Sequence, residues 1–138
     1  MSSCSHINVL KCLGVDLYTS EVWILLELCE GRSLADIMRE RRGSFSEEEI
    51  SAILRQVLEG LCYLHKRGIV HRDIKASNLL YHRGVVKIAD FGISILAPNA
   101  SDGKFCRFGS PYWMSPEILS QSLYSDKADI WALGITAI

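Results

Sequence analysis

Ten glycines are scattered along the 138 residues, yet no two of them form a G-x-G pair, so no glycine-rich, phosphate-cradling loop is present. The five cysteines, at positions 4, 12, 29, 62 and 106, are odd in number and contain no C-x-x-C pair. That argues against a zinc site and against a disulfide framework, and makes the reducing cytosol the expected compartment. The longest uninterrupted apolar run, Val22 to Leu26, is far too short to span a bilayer. Met1 to His6 has no basic stretch leading into an apolar one, so no secretory signal is expected. Charge of neither sign dominates: 15 Lys and Arg stand against 16 Asp and Glu, a net charge of −1. Nothing therefore points to nucleic acid or a membrane surface as partner. At 49% hydrophobic and 22% charged residues, the composition is that of an ordinary globular chain.

What is there reads as an orderly series of elements, without repeats or low-complexity tracts. Val9 to Val15 and Val22 to Leu28 are two β-rich runs around a polar turn at Asp16 to Ser20, a hairpin pattern. After Glu30-Gly31, Ser33 to Arg41 reads as a short helix with Leu34, Ile37 and Met38 on one face. A longer helix starts at Ser46-Glu47-Glu48-Glu49, whose serine and glutamate three apart form a capping box. Ile50, Ile53, Leu54, Val57, Leu58, Leu61 and Leu64 follow at helical spacing, and Gly68 closes the helix. Beyond Ile69-Val70 and a polar loop, Leu79 to Tyr81 and Val85 to Ile88 form a second hairpin around His82-Arg83-Gly84. A last helix begins at Ser125 and is still running at Ile138.

Two polar loops break this pattern. His71-Arg72-Asp73-Ile74-Lys75-Ala76-Ser77-Asn78 crowds six polar side chains into eight residues between apolar runs; alone, it is a solvated connector. Asp90-Phe91-Gly92 follows the second hairpin, and as an isolated tripeptide it carries no weight. Together they do: H-R-D-x-x-x-x-N, a hairpin, D-F-G and then Ser115-Pro116-Glu117 stand in the order of the eukaryotic protein-kinase signatures. The resemblance runs from His6-Ile7-Asn8-Val9 to Asp129-Ile130-Trp131-Ala132-Leu133-Gly134, which looks like the start of the buried helix beneath a kinase's catalytic loop. Phe108 to Glu117 is similar to the G-T-P-x-W-M-A-P-E stretch of Ste20-like kinases and MAP kinase kinase kinases. Ser110 stands for the usual threonine and Ser115 for the usual alanine.

The resemblance implies an α+β fold: a partial protein-kinase fold with residues 1–30 as the remnant of the β-rich N-lobe (hairpin and hinge). Residues 31–138 would be the first half of the mainly helical C-lobe. It further implies a serine/threonine kinase that transfers a phosphoryl group from ATP, with Mg²⁺, to Ser or Thr hydroxyls of a protein substrate in the cytoplasm. Asp73 would orient the acceptor hydroxyl and take its proton, Lys75 would contact the transferring phosphate, and Asn78 and Asp90 would hold the metal. Leu26 would be the gatekeeper of the adenine pocket, and Glu27 and Cys29 would offer it backbone groups. His71 and Phe91 would stack beneath the site, and Arg72 would receive an activation-loop phosphate. Cys106 occupies the usual acceptor position in that loop, which leaves Ser101 as the nearest upstream hydroxyl and Ser110 as the other candidate.

The same resemblance marks what is missing: no V-A-I-K-like strand, no helix to supply its glutamate partner, and no substrate-binding helices after Ile138. A kinase truncated at both ends is expected, inactive as these 138 residues alone. The alternative is a non-catalytic kinase remnant that serves as a binding module. The intact set Asp73, Lys75, Asn78 and Asp90 favours descent from an active enzyme.

Overall fold

The organising element is a long amphipathic helix whose start is written into four residues. In the computed structural model, which describes residues 5–96, 109–120 and 125–138, helix α2 (Glu47–His65) is capped by Ser46. The Glu49 amide donates to Ser46 Oγ, and the Glu49 carboxylate accepts from the Ser46 amide, the reciprocal arrangement the spacing predicts. Its inner face carries Val57, Leu61 and Leu64, all fully buried. The predicted apolar stripe is narrower than its periodicity suggests, because Leu58 remains 45% exposed.

Against that face lies the β5–β6 hairpin (Leu79–His82 and Val85–Ile88), antiparallel with Leu79 opposite Ile88. Its tight turn is Arg83-Gly84, both with positive φ, at 49° and 82°; such turns match the right-handed twist of the strands, and glycine takes the second position without strain. Leu79, Val86 and Ile88 have no exposed surface. Gln56 of α2 reaches across to accept from the Val86 amide and to donate to the Gly84 carbonyl, so the helix holds the hairpin by polar as well as apolar contacts. Strand β3 (Arg32–Ser33) adds to the hairpin through β5, and Ser33 caps helix α1 (Leu34–Arg41) by accepting from the Asp36 amide.

Strands β1 (Cys12–Tyr18) and β2 (Glu21–Leu26) form the predicted first hairpin, with shifted bounds. The expected turn at Asp16 to Ser20 contracts to Thr19-Ser20, because Asp16, Leu17 and Tyr18 pair with Trp23, Val22 and Glu21. Val9, expected to open the strand, instead bridges Ile88 in parallel. Its neighbours complete the link: Leu10 N–H donates to Ile88 O and Ile88 N–H to Asn8 O. The remaining elements are β4 (Ile69–Val70), β7 (Ile95–Leu96), which pairs with β4, helix α3 (Pro116–Leu119) and helix α4 (Lys127–Ala137). Ala132 and Leu133 of α4 join the core that α2 and β6 share. This is a mixed α+β architecture, strand hairpins followed by helices, in agreement with the fold the motifs imply.

Candidate functional site

Residues 71–78 cross from β4 to β5 over the end of α4, and a buried carboxylate sets their path. Asp129, in the first turn of α4 and without exposed surface, accepts from the backbone amides of His71 (2.9 Å) and Arg72 (2.8 Å). The His65 ring lies 2.8 Å from the same carboxylate through Nε2. Three partners for one buried carboxylate is what its burial requires. Arg72 is thereby held at φ 71°, a conformation that residues other than glycine rarely adopt, and its Nε donates to Ile93 O.

His71 is buried and makes the second anchor. Its Nε2 donates to Ala89 O at 2.9 Å, and its Nδ1 accepts from the Asp73 amide at 3.3 Å. That pattern needs the neutral ring with its proton on Nε2. Burial, the largest influence, pushes the pKa below the usual histidine value, and the nearby Asp129 carboxylate offsets this only in part. Phe91 meets the ring edge-to-face, centroids 4.9 Å apart, as the motifs suggest.

Asp73 then projects into a polar cluster. Its Oδ1 accepts from the Ser110 amide (3.1 Å) and hydroxyl (2.8 Å). Its Oδ2 takes Lys75 Nζ at 2.7 Å and Asn78 Nδ2 at 2.9 Å. Lys75 Nζ also donates to Ser110 Oγ at 2.7 Å. Burial pushes the Asp73 carboxyl up, but the bonds from Lys75 and Ser110 and the Lys75 charge outweigh it and hold the group below the ordinary aspartate value. Ser110 arrives here by way of Gly109, φ 118°, where a Cβ would stand 2.6 Å from the Arg72 carbonyl. Only glycine permits that close approach.

Strand register brings Asn78 and Asp90 to the same end of the β5–β6 hairpin. Asn78 directly precedes β5, Asp90 follows β6 by two residues, and the Ala89 amide donates to the Asn78 carbonyl at 2.9 Å. The Asn78 side-chain nitrogen is committed to Asp73, to both its carboxylate and its carbonyl. Only a long 3.5 Å bond from Ser77 reaches the amide oxygen. Asp90 sits at φ 63° and is exposed, its Oδ1 accepting from the Gly92 amide. One amide oxygen and one carboxylate are hard donors that suit Mg²⁺, which keeps several of its waters. Among the described residues no group of three or more His, Cys, Asp or Glu is placed to hold a metal, so a closed, all-protein metal cage is not built here.

The remaining predicted residues lie apart from this cluster. Leu26 ends β2, 48% exposed, opposite Cys12. The Glu27 amide donates to Lys11 O, and its carboxylate accepts from the Lys11 amide and from Lys87 Nζ, both at 2.8 Å. Cys29 is half-buried. Ser101 and Cys106 lie outside the described residues. An open groove of about 1100 Å³ runs along the outer face of α2 past Leu54, Leu58 and Tyr63, but none of the converging polar groups line it. Among the described residues, no helix is long and apolar enough to cross a membrane.

Linear reading missed two of the working partners. Asp129 was visible only as part of a helix, since its partners stand 57 and 58 residues away. Ser110 was matched only to the usual threonine of its stretch; that its amide and hydroxyl both bond Asp73, 37 residues away, does not show in that match. The signal for each was a polar residue in an otherwise apolar or aromatic stretch.

Comparison with known proteins identifies the family, independently of this geometry. The family model described as protein kinase domain matches residues 1–138. Serine/threonine-protein kinase cst-1 of Caenorhabditis briggsae is 45% identical over 139 residues, covering 100% of this chain and 28% of the relative. Serine/threonine-protein kinase sid1 of Schizosaccharomyces pombe is 45% identical over 142 residues, covering 100% of this chain and 29% of that protein. Serine/threonine-protein kinase ppk11 of the same yeast is 49% identical over 117 residues, with 84% and 37% covered. The chain thus spans less than two fifths of the length of these relatives.

Proposed function

From the premise that the chain belongs to the protein kinase family, with Ste20-type serine/threonine kinases among its relatives, we propose that it carries the catalytic half of a cytosolic protein serine/threonine kinase. The reaction is transfer of the ATP γ-phosphoryl group to a Ser or Thr hydroxyl of a protein substrate. The observation that carries this reading is the Asp73 carboxylate, ionised and bracketed by Lys75, Ser110 and Asn78.

Each residue has a task that its chemistry permits. Asp73 orients the acceptor hydroxyl and takes its proton, a contribution typically worth roughly 10²–10⁴-fold. Lys75 places positive charge between the base and the incoming phosphoryl oxygens. Ser110 holds one Asp73 oxygen in place through two bonds. Mg²⁺ bound with ATP would supply the charge neutralisation that phosphoryl transfer needs, and Asn78 Oδ1 and the Asp90 carboxylate are the groups that would hold it. At the hinge, residues 1–30 would face adenine from one side and residues 31–138 from the other. The Glu27 amide is spent on Lys11 O, so its contribution would be its carbonyl, with Cys29 supplying the next backbone group and Leu26 the gatekeeping side chain.

The test uses the full protein and a Ser/Thr peptide. Asp73→Asn is expected to lower kcat by at least about 10²-fold, the loss typical of a missing general base. Asp90→Asn should instead raise the Mg²⁺ concentration needed for half-maximal rate, since a carboxylate ligand becomes a neutral amide. Unchanged turnover in both variants would overturn the assignment.

A further inference from the structure

Three buried side-chain polar atoms among the described residues lack a hydrogen-bond partner, and two of them, Trp113 Nε1 and Ser115 Oγ, belong to residues that line one small cavity. Arg72, Ser110, Met114, Ile118, Ala128 and Ala132 complete its walls. Room for the centre of a water molecule amounts to about 10 Å³, at the threshold of roughly 10–15 Å³ at which a single water fits.

Ser115 is 1% exposed and stands at the N-cap of α3, yet its hydroxyl makes no capping bond. The amides of Ile118 and Leu119 go to its backbone carbonyl instead. A serine in this position ordinarily spends its oxygen on the helix; here the group is left for another partner. An indole N–H is a donor only, and a hydroxyl both donates and accepts. A molecule that accepts from the first and exchanges a bond with the second satisfies both, and water does this in a cavity of this size.

We propose that Trp113 Nε1 and Ser115 Oγ hold one structural water, and that this water braces the turn carrying Ser110. The turn is short and closed on itself: the Trp113 amide donates to Ser110 O at 3.0 Å, and the Met114 amide to Pro111 O. Fixing Trp113 and Ser115 therefore fixes Ser110, whose amide and hydroxyl hold the Asp73 carboxylate. Ser115 is a positioning residue in this scheme, acting through water, turn and Ser110 on the base. The kinetic half of the inference rests on the kinase reading above.

A high-resolution crystal structure of the full protein decides the first half. Density for one water within hydrogen-bond distance of both atoms is expected; a dry cavity, or Ser115 Oγ bonded directly to a protein group, overturns it. Kinetics decide the second half. Ser115→Ala should lower kcat by up to about tenfold, short of the ~10²-fold that a 1 Å misplacement can cost, while KM for ATP stays unchanged. An unchanged kcat overturns the bracing role. Should Ser115→Ala not fold, Trp113→Phe removes the other donor and is read the same way. Asp73→Asn run in parallel separates the two failures. If it abolishes turnover while Ser115→Ala has no effect, the bracing role alone is wrong. If Asp73→Asn is silent as well, the kinase reading falls with it.

Discussion

Two hairpins of similar composition meet different fates in this chain. In β5–β6, Leu79, Val86 and Ile88 are wholly buried, whereas every residue of β2 is exposed, Trp23 by 57% and Ile24 by 60%. Val15 and Leu17 of β1 are as open. Sequence does not separate the two, since both are runs of Val, Ile and Leu with a polar turn. The difference is cover. Helix α2 lies over β6 and supplies Gln56 to its backbone, and α4 closes the core from the other side. Among the described residues, Cys12 is the only buried side chain of β1–β2, and the rest of the hairpin stays open. Strand pairing alone makes a marginal structure, so the comparison teaches that cohesion here comes from the α2–β6–α4 core and its buried polar anchors.

The strongest way to break that contrast is to remove an anchor. Asp129→Ala strands three donors, the amides of His71 and Arg72 and the His65 ring. At ~1–3 kcal/mol for each buried group left unpaired, a loss of at least about 3 kcal/mol is expected, a large share of a typical domain's stability. Charge placed on the hairpin, as in Leu17→Lys or Trp23→Lys, should leave the unfolding free energy within about 0.5 kcal/mol of the parent and improve solubility, because the replaced surface is already exposed. Denaturant unfolding of the variants checks both. Equal destabilisation at the two places would erase the distinction.

Acid should reach the core through His71. Its folded pKa is depressed below the ordinary 6.5, chiefly by burial, so the folded state disfavours the extra proton. The stabilising contribution is complete above about 6.5 and is lost as pH falls below it, because only the unfolded chain then takes up the proton. The depressed carboxyl of Asp73 acts in the same direction at lower pH, its share vanishing as pH falls through its folded value. Stability measured from pH 7.5 downward should therefore decline from about 6.5, and His71→Asn should flatten that first decline. A His71→Asn profile that falls as steeply would show that another group is responsible.

The same contrast explains how much could be read from the chain itself. The capping box at Ser46, the β5–β6 hairpin and the grouping of Asp73, Lys75 and Asn78 were legible, because each rests on neighbours in sequence or on the spacing of one loop. The first hairpin was found with its bounds displaced. Val9 looks like a strand residue by propensity, but it is captured by Ile88, and the residues after it pair instead. Leu58 was read as part of a buried stripe because periodicity reports an apolar face, not what packs on it. Asp129 and Ser110 act across 37 to 58 residues, a separation no local pattern encodes.

The smallest expected effect concerns the tie between the two regions. Besides the backbone links of residues 8–10 to Ile88, the Glu27 carboxylate joins them, accepting from Lys87 Nζ of β6 and from the Lys11 amide. The side chains of Lys87 and Glu27 are 18% and 29% exposed. Burial pushes the Glu27 carboxyl up, and the bonds from Lys87 and Lys11 more than offset it, so its pKa is lowered. Lys87→Met keeps the aliphatic stem and removes the charge. For a pair at this depth the cost should be about 1 kcal/mol, the upper end of the range for surface ion pairs. The distribution of that cost is what sharpens the comparison. Because Leu10 and Ile88 keep their backbone bonds, the core should not feel the change, and faster hydrogen exchange should appear at the β1–β2 amides from Val15 to Tyr18 and from Trp23 to Leu26. The difference between the parent and Lys87→Met should shrink in acid, since a carboxylate with a lowered pKa loses its stabilising share as pH falls through that value. Exchange that quickens equally in β5–β6 would mean that Lys87 supports the core itself, and that the hairpin is held by its strand pairing without this tie.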